Sequence, residues 1–308
     1  MEKSGKEILD IEDINTEYQK LKERQSYLNK RFYAISLDYK SYIEPSWDDQ
    51  EIYDIRDNIL YRIFSALLHS NILLNYFTII ENRFEDIRKK DLIRLLNPTF
   101  PKDSLIETAT QEISSIFESI IYHLVSSYDY FSTMINFMYG EKKDKQNTLK
   151  WNGLVNIARD KTSNLGVRIF SQKIVEINSQ FVDKLYNYRS FLIHEKPDLN
   201  YFSLKFNAFN ETSKIDLKFY ITKKFTNKFH ELKVRSKEKK ITLKYVVFWL
   251  LNKSITSLNE ILFELKKDMG SNGLDYYGMM MYQDKQTGAI LPQSFPYWFE
   301  NEWLKNKK

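Results

Sequence analysis

Residues 104–135 read SLIETATQEISSIFESIIYHLVSSYDYFSTMI, and the apolar positions of this stretch decide the fold. Ile113, Ile116, Ile120, Leu124, Tyr128, Phe131 and Ile135 follow one another in steps of three or four, the repeat that keeps side chains on one helix face. Pro101 precedes the run, Asp103 or Ser104 can cap its amino end with Glu107 three residues after Ser104, and Gly140 closes it. A long helix with one buried stripe is expected, and such a stripe needs helical neighbours to cover it.

Those neighbours are present on both sides. Residues 11–43 are charged and helix-forming up to Pro45, and 48–88 form a second run through an apolar stretch at 63–80. After a polar connector at 141–147 and a short helical piece at 151–159, a fourth long helix begins near Leu165. Its stripe is Ile174, Ile177, Phe181, Leu185, Tyr188 and Leu192, and Pro197 ends it. A last helix spans 242–267. Between these the period drops to two: Leu204, Phe206 and Ala208 alternate with polar residues, as do Ile215, Leu217, Phe219 and Ile221, across a polar turn at 210–213. That pattern is a β-hairpin near 203–222. The expected class is all-α, a helical bundle with an inserted β-hairpin whose interior comes from 63–80, 113–135, 174–192 and 245–262. Residues 1–47 are expected as an N-terminal helical extension, 48–270 as the main domain and 271–308 as an irregular aromatic and basic tail.

Composition agrees with long helices: of 308 residues only 8 are Gly and 6 Pro, whereas Phe and Tyr number 21 each. The absence of cysteine excludes a disulfide framework and thiolate zinc sites. The first twenty residues are charged and polar, without the apolar core of a secretory signal, which predicts a cytoplasmic protein. The 63–80 stretch contains His69, Asn71 and Asn75, costly groups in lipid, so a buried soluble helix is expected rather than a membrane span. Gly273 and Gly278 have the glycine spacing of a phosphate loop, but Met279 stands where the lysine belongs. His194, Glu195 and Asp198 resemble a zincin helix that Pro197 would break, and the four histidines are scattered, so neither metal nor cofactor is expected.

The most informative short segment is Leu185-Tyr-Asn-Tyr-Arg189-Ser-Phe-Leu-Ile-His194-Glu-Lys-Pro197. It resembles the R-x(4–6)-H motif of the HEPN superfamily (higher eukaryotes and prokaryotes nucleotide-binding). That family more often has Asn, Asp or His where Ser190 follows Arg189. The likeness spans about 48–270 and includes Tyr122-His-Leu-Val-Ser-Ser-Tyr-Asp129-Tyr in the preceding helix. A second pair at this kind of spacing, Arg62 and His69, lies inside the long apolar helix and reads as a surface arginine and a core histidine.

The resemblance implies a HEPN-like helical bundle that forms a homodimer and cleaves RNA without a metal, in toxin–antitoxin or phage-defence systems. It also implies an antitoxin or nucleotidyltransferase-type protein as partner. The alternative is a catalytically inactive HEPN-like module that binds RNA, nucleotides or protein. In the active reading His194 takes the proton of a ribose 2′-hydroxyl and Arg189 stabilises the anionic phosphorane, while Ser190 holds the imidazole or contacts phosphate. On one straight helix Arg189 sits about 140° round from His194, whereas Asn187 and Ser190 share the histidine's face. The resemblance answers that offset with a composite site across a dimer twofold. His194 lies in the last turn, where the helix dipole favours imidazolium. Tyr188 precedes the arginine, and Glu118 and Asp129, eleven residues apart on one face of the earlier helix, either pair with Arg189 or orient His194, or else form a solvated acidic face.

Net charge is +5, yet residues 221–240 alone carry eight cations and two anions. Lys223, Lys224, Lys228, Arg235, Lys237, Lys239 and Lys240 are the expected RNA-binding set, with Phe225, Phe229 and His230 interleaved as exposed stacking platforms.

Overall fold

The computed structural model describes residues 7–44, 50–97, 99, 103–140, 148–194, 201–206, 215–272, 279–283, 288, 290–294 and 299. Helix accounts for 80% of the interpretable chain, so the class is all-α. The helices are α1 (Ile14–Asp38), α2 (Glu51–Lys90), α3 (Leu92–Leu96), α4 (Ser104–Tyr139), α5 (Trp151–Arg159), α6 (Ile169–Ile177), α7 (Asp183–His194), α8 (Lys223–Thr226), α9 (His230–Glu238) and α10 (Leu243–Asn272). Two π-helical turns, Tyr39–Ile43 and Asn178–Val182, follow α1 and join α6 to α7.

Charge and capping explain where the long helices start and stop. The first turn of α2 carries Glu51 and Asp54 and its last turn Arg88, Lys89 and Lys90, each sign on the end that the helix dipole favours. Asp103 is the residue that caps α4: its Oδ1 accepts the Leu105 amide at 2.9 Å, while the Arg94 guanidinium forks onto both carboxylate oxygens at 2.7 Å. That fork holds the Asp103 carboxyl below the usual carboxylate value.

The chain divides into two units, one of Met1–Tyr18, Ile63–Val125 and Gln180–Asn252, the other of Gln19–Arg62, Ser126–Ser179 and Lys253–Lys308.

In the first unit β2 (Tyr201–Lys205) and β3 (Asp216–Tyr220) form the expected antiparallel pair, in register Leu204 to Leu217 and Phe202 to Phe219. The turn at 210–213 lies outside the described residues. Leu217 and Phe219 are buried, and Phe219 stacks on Phe77 of α2 with ring centres 5.5 Å apart. The Glu85 carboxylate accepts the Ile215 amide at 2.9 Å, a second tie from α2 to the hairpin. Residues before α1 are not wholly helical: β1 (Glu7–Leu9) pairs in parallel with β4 (Lys239–Ile241). Asp10 binds both Lys218 Nζ at 3.1 Å and Thr242 Oγ1 at 2.7 Å, which secures the strands to the start of α10.

In the second unit the core is aromatic. Phe32 meets Phe131 edge to face, Tyr128 meets Trp151, and Tyr139 meets Phe170. Trp151 is fully buried and donates from Nε1 to Asn178 Oδ1 at 2.8 Å, where the π-turn begins. The helix expected to begin near Leu165 therefore starts at Ile169 and carries a π-turn, with Asn178 used as a polar partner inside the core. The tail expected to be irregular contains the antiparallel pair β5 (Met279–Gln283) and β6 (Ile290–Ser294). Phe299 packs edge-on against Phe263 and its amide donates to Asp38 Oδ2 at 3.2 Å.

Candidate functional site

Helix α7 turns two faces in different directions, and this sorts the expected site residues. Leu185 and Tyr188 are buried in the first unit, Tyr188 edge-on to Phe225 at 4.7 Å. One residue on, Arg189 points with Leu192 and Ile193 into an open cavity of about 290 Å³. The other wall of that cavity is α4, through Ser115, Glu118, Ser119, Tyr122 and His123. These five recur at three- and four-residue steps, so they lie on one helix face.

The Arg189 guanidinium lies 5.2 Å from the centre of the Tyr122 ring, a cation–π contact. Its Nε is buried with no hydrogen-bond partner, and among the described residues Arg189 joins no ion pair. A cation without an ion-pair partner among the described residues, at the wall of an open cavity, can meet an anionic group from outside the chain. Glu118 is half-buried in the same cavity, and burial pushes its carboxyl up from the ordinary value. The expected Glu118–Arg189 ion pair is not formed among the described residues.

The His123 ring sits beside Tyr122, centres 5.4 Å apart, and packs at a tilt against His69 of α2 at 5.0 Å. His69 Nδ1 donates to the Ser65 carbonyl at 2.8 Å, which sets that ring's orientation. Neither Tyr122 nor His123 stood out as a site residue. The signal was there in the row Ser115, Ser119, His123, polar residues four apart on a helix whose other stripe is apolar.

The remaining expected residues fall elsewhere. Ser190 and Asn187 are exposed, and Asn187 Nδ2 donates to Asp183 Oδ2 at 3.1 Å within its own helix. His194 is the last residue of α7, and its side chain lies outside the described residues, as do 195–200. Asp129 belongs to the second unit, where its Oδ1 accepts the Trp151 amide at 3.0 Å and anchors the first turn of α5. Asp129→Ala is therefore expected to lower stability by about 1 kcal/mol without altering any activity of the Arg189 cavity. Denaturant unfolding of the variant beside a cavity assay checks both halves.

The basic segment is ordered structure rather than a loop, and its two phenylalanines are not platforms. Phe225 and Phe229 are buried, in contact with each other and with Phe117, Tyr188, Phe181 and Trp249. His230 opens α9 and is exposed. Several of the cations have partners within the unit. Lys224 lies over the Phe191 ring at 3.2 Å, Lys239 pairs with Glu7 at 2.9 Å, Lys240 lies over Tyr220 and Arg235 binds Glu231. Lys223, Lys239 and Lys240 meet around a second cavity of about 220 Å³, together with Thr226 and Ser236. Lys237 is exposed on the surface of the segment, and Lys228 is half-buried.

Helix α2 is long and apolar enough to cross a membrane, with mean hydropathy 1.5 over its best window, but only half of that window is buried. The helix is thus not buried all round as expected. Phe64 (55% exposed), Leu68 (44%), Ile72 (42%) and Ile79 (46%) form an apolar row on its open side. Among the described residues no group of three or more His, Asp or Glu gathers as a metal-holding cluster. Compared with family models, with curated proteins and with solved structures, the chain has no match.

Proposed function

We propose that the protein is a cytoplasmic HEPN-like endoribonuclease, acting as a toxin or phage-defence effector, that cleaves RNA without a metal by attack of the ribose 2′-hydroxyl. The observation that carries this reading is Arg189, a guanidinium without an ion-pair partner among the described residues, on the wall of an open cavity and within the 185–197 segment that resembles a HEPN motif. Phosphate and the phosphorane formed from it are planar-fork targets for such a group. His194, five residues on at the helix end, is the base that takes the 2′-hydroxyl proton. Lys223, Lys239 and Lys240, gathered at their own cavity, supply sequence-independent phosphate contacts beside the exposed Lys237.

A homodimer completes the reading. The apolar row on α2 spans about 22 Å from Phe64 to Ile79 at 1.5 Å per residue, long enough to serve as the centre of an interface between two copies. Leu68→Glu with Ile72→Glu is expected to yield a monomer by sedimentation at micromolar concentration, with cleavage lost.

The function itself is tested by incubating RNA with the purified protein in excess chelator. Cleavage that persists and leaves 2′,3′-cyclic phosphate ends is the expected result. Loss of cleavage in chelator with recovery on adding a divalent ion would defeat the mechanism. Absence of cleavage under all conditions would leave the catalytically inactive binding module.

A further inference from the structure

We propose that His123 is a second catalytic residue of this site, the general acid that protonates the departing 5′-oxygen of the RNA. The inference rests on the ribonuclease reading above and adds what that reading lacks. Attack of the 2′-oxygen forms one O–P bond and breaks another, between phosphorus and the 5′-oxygen. The proton released by the 2′-hydroxyl goes to the base, and an alkoxide would leave unless a second group supplies a proton. One imidazole at the end of α7 does not serve both oxygens at once, because the entering and leaving atoms lie on opposite sides of phosphorus.

The geometry points to His123 for the second role. It lines the same cavity as Arg189 but comes from the other wall, on α4. Tyr122 is shared: the guanidinium lies 5.2 Å from its ring centre and the His123 ring 5.4 Å. Arg189 Cζ and the imidazole centre are therefore no more than about 11 Å apart. A phosphate hydrogen-bonded on two sides needs about 8 Å between its donor nitrogens, a span this limit accommodates. His69, tied to the Ser65 carbonyl, backs the His123 ring at 5.0 Å and keeps it from swinging toward α2. The charged and titratable groups near His123 include Arg189, Glu118 and Tyr122 in the cavity and His69 behind it. Of these an imidazolium has the proton affinity best matched to donation near neutral pH. In the balanced step His123 gives its proton to the 5′-oxygen as the P–O bond breaks, and the base holds the proton taken from the 2′-hydroxyl. Later exchange with water restores both groups.

A leaving-group experiment tests the assignment. An oligonucleotide with a normal 5′-oxygen at the scissile phosphate is compared with one carrying a bridging 5′-sulfur, whose thiolate departs without a proton. His123→Gln is expected to slow cleavage of the oxygen substrate by about 10²- to 10³-fold and to leave the sulfur substrate within about threefold of wild type. His123→Asn gives the same pattern if His123→Gln folds poorly, and Glu118→Gln, measured in parallel, should not show it. Equal loss on the two substrates, or no loss on either, overturns the role of His123. A leaving-group-dependent loss in Glu118→Gln alone transfers the role to Glu118 and overturns it too. A wild-type protein that cleaves neither substrate defeats the ribonuclease reading beneath it, an outcome distinct from the others.

Discussion

Arg189→Ala is expected to reduce RNA cleavage by about 10³-fold, with the fold intact and RNA affinity nearly unchanged. The size follows from what the guanidinium does not do in the free protein. It joins no ion pair among the described residues, its Nε is unbonded, and its recorded contact is the face of Tyr122. Removing it forfeits a cation–π contact of about 0.5–1 kcal/mol in stability. The same removal takes away charge stabilisation that appears only as the phosphorane forms, so the loss belongs to kcat rather than KM. Arg189→Lys restores the charge without the planar fork and is expected to recover less than a tenth of the activity. Binding persists because the lysines at 223, 239 and 240 surround a different cavity, and their contribution shows as a salt dependence that Arg189→Ala leaves unaltered. An Arg189→Ala protein that cleaves at the wild-type rate would end the enzyme reading and leave an RNA- or protein-binding module.

The parts of this arrangement that were legible in the sequence are those set by local period. The stripe from Ile113 to Ile135 placed α4, the alternation around Leu217 and Phe219 placed the hairpin, and Arg189 was singled out by its neighbours in α7. What was not legible depends on contacts distant in sequence. Three-residue strands such as β1 and β4 carry too little pattern to be seen, and they meet more than 200 residues apart. Glu118 and Arg189 share a cavity, yet periodicity is silent on whether two charges in one cavity point at each other. Asp129 lies on the same side of α4 but is claimed by the Trp151 amide, a partner no helical wheel displays. His123 was passed over as one of four scattered histidines, because only the fold shows α7 forming the wall that faces it. Burial also reversed the reading of the basic segment. Interleaved cations and aromatics look alike whether the aromatics face solvent or core, and only the packing of α8 against α7 separates the two.

Phe225 provides the sharpest test of that last distinction. Phe225→Ala is expected to destabilise the protein by about 3–5 kcal/mol, the range for deleting a fully buried phenyl group. Its ring is wholly inaccessible and sits among Tyr188 at 4.7 Å, Phe229 at 5.0 Å and Phe117 at 5.8 Å. These contacts join three elements of the first unit: the helix that carries Arg189, the helix that forms the other cavity wall, and the short basic helix α8, which Thr222 caps through the Phe225 amide. A cavity at this junction cannot close by moving one side chain, because each neighbour is itself buried, so little of the cost should be recovered by relaxation. Phe225→Leu keeps most of the volume and is expected to lose less than half as much. Urea unfolding followed by tryptophan fluorescence reports both, with the midpoint falling and the slope held if the compactness of the two end states is unchanged. Below the transition, RNA affinity at fixed salt should be retained by the folded fraction, since a buried ring offers no face to a base. Unchanged stability with weakened RNA binding would place the ring at the surface after all, and the basic segment would return to a stacking groove for single strands.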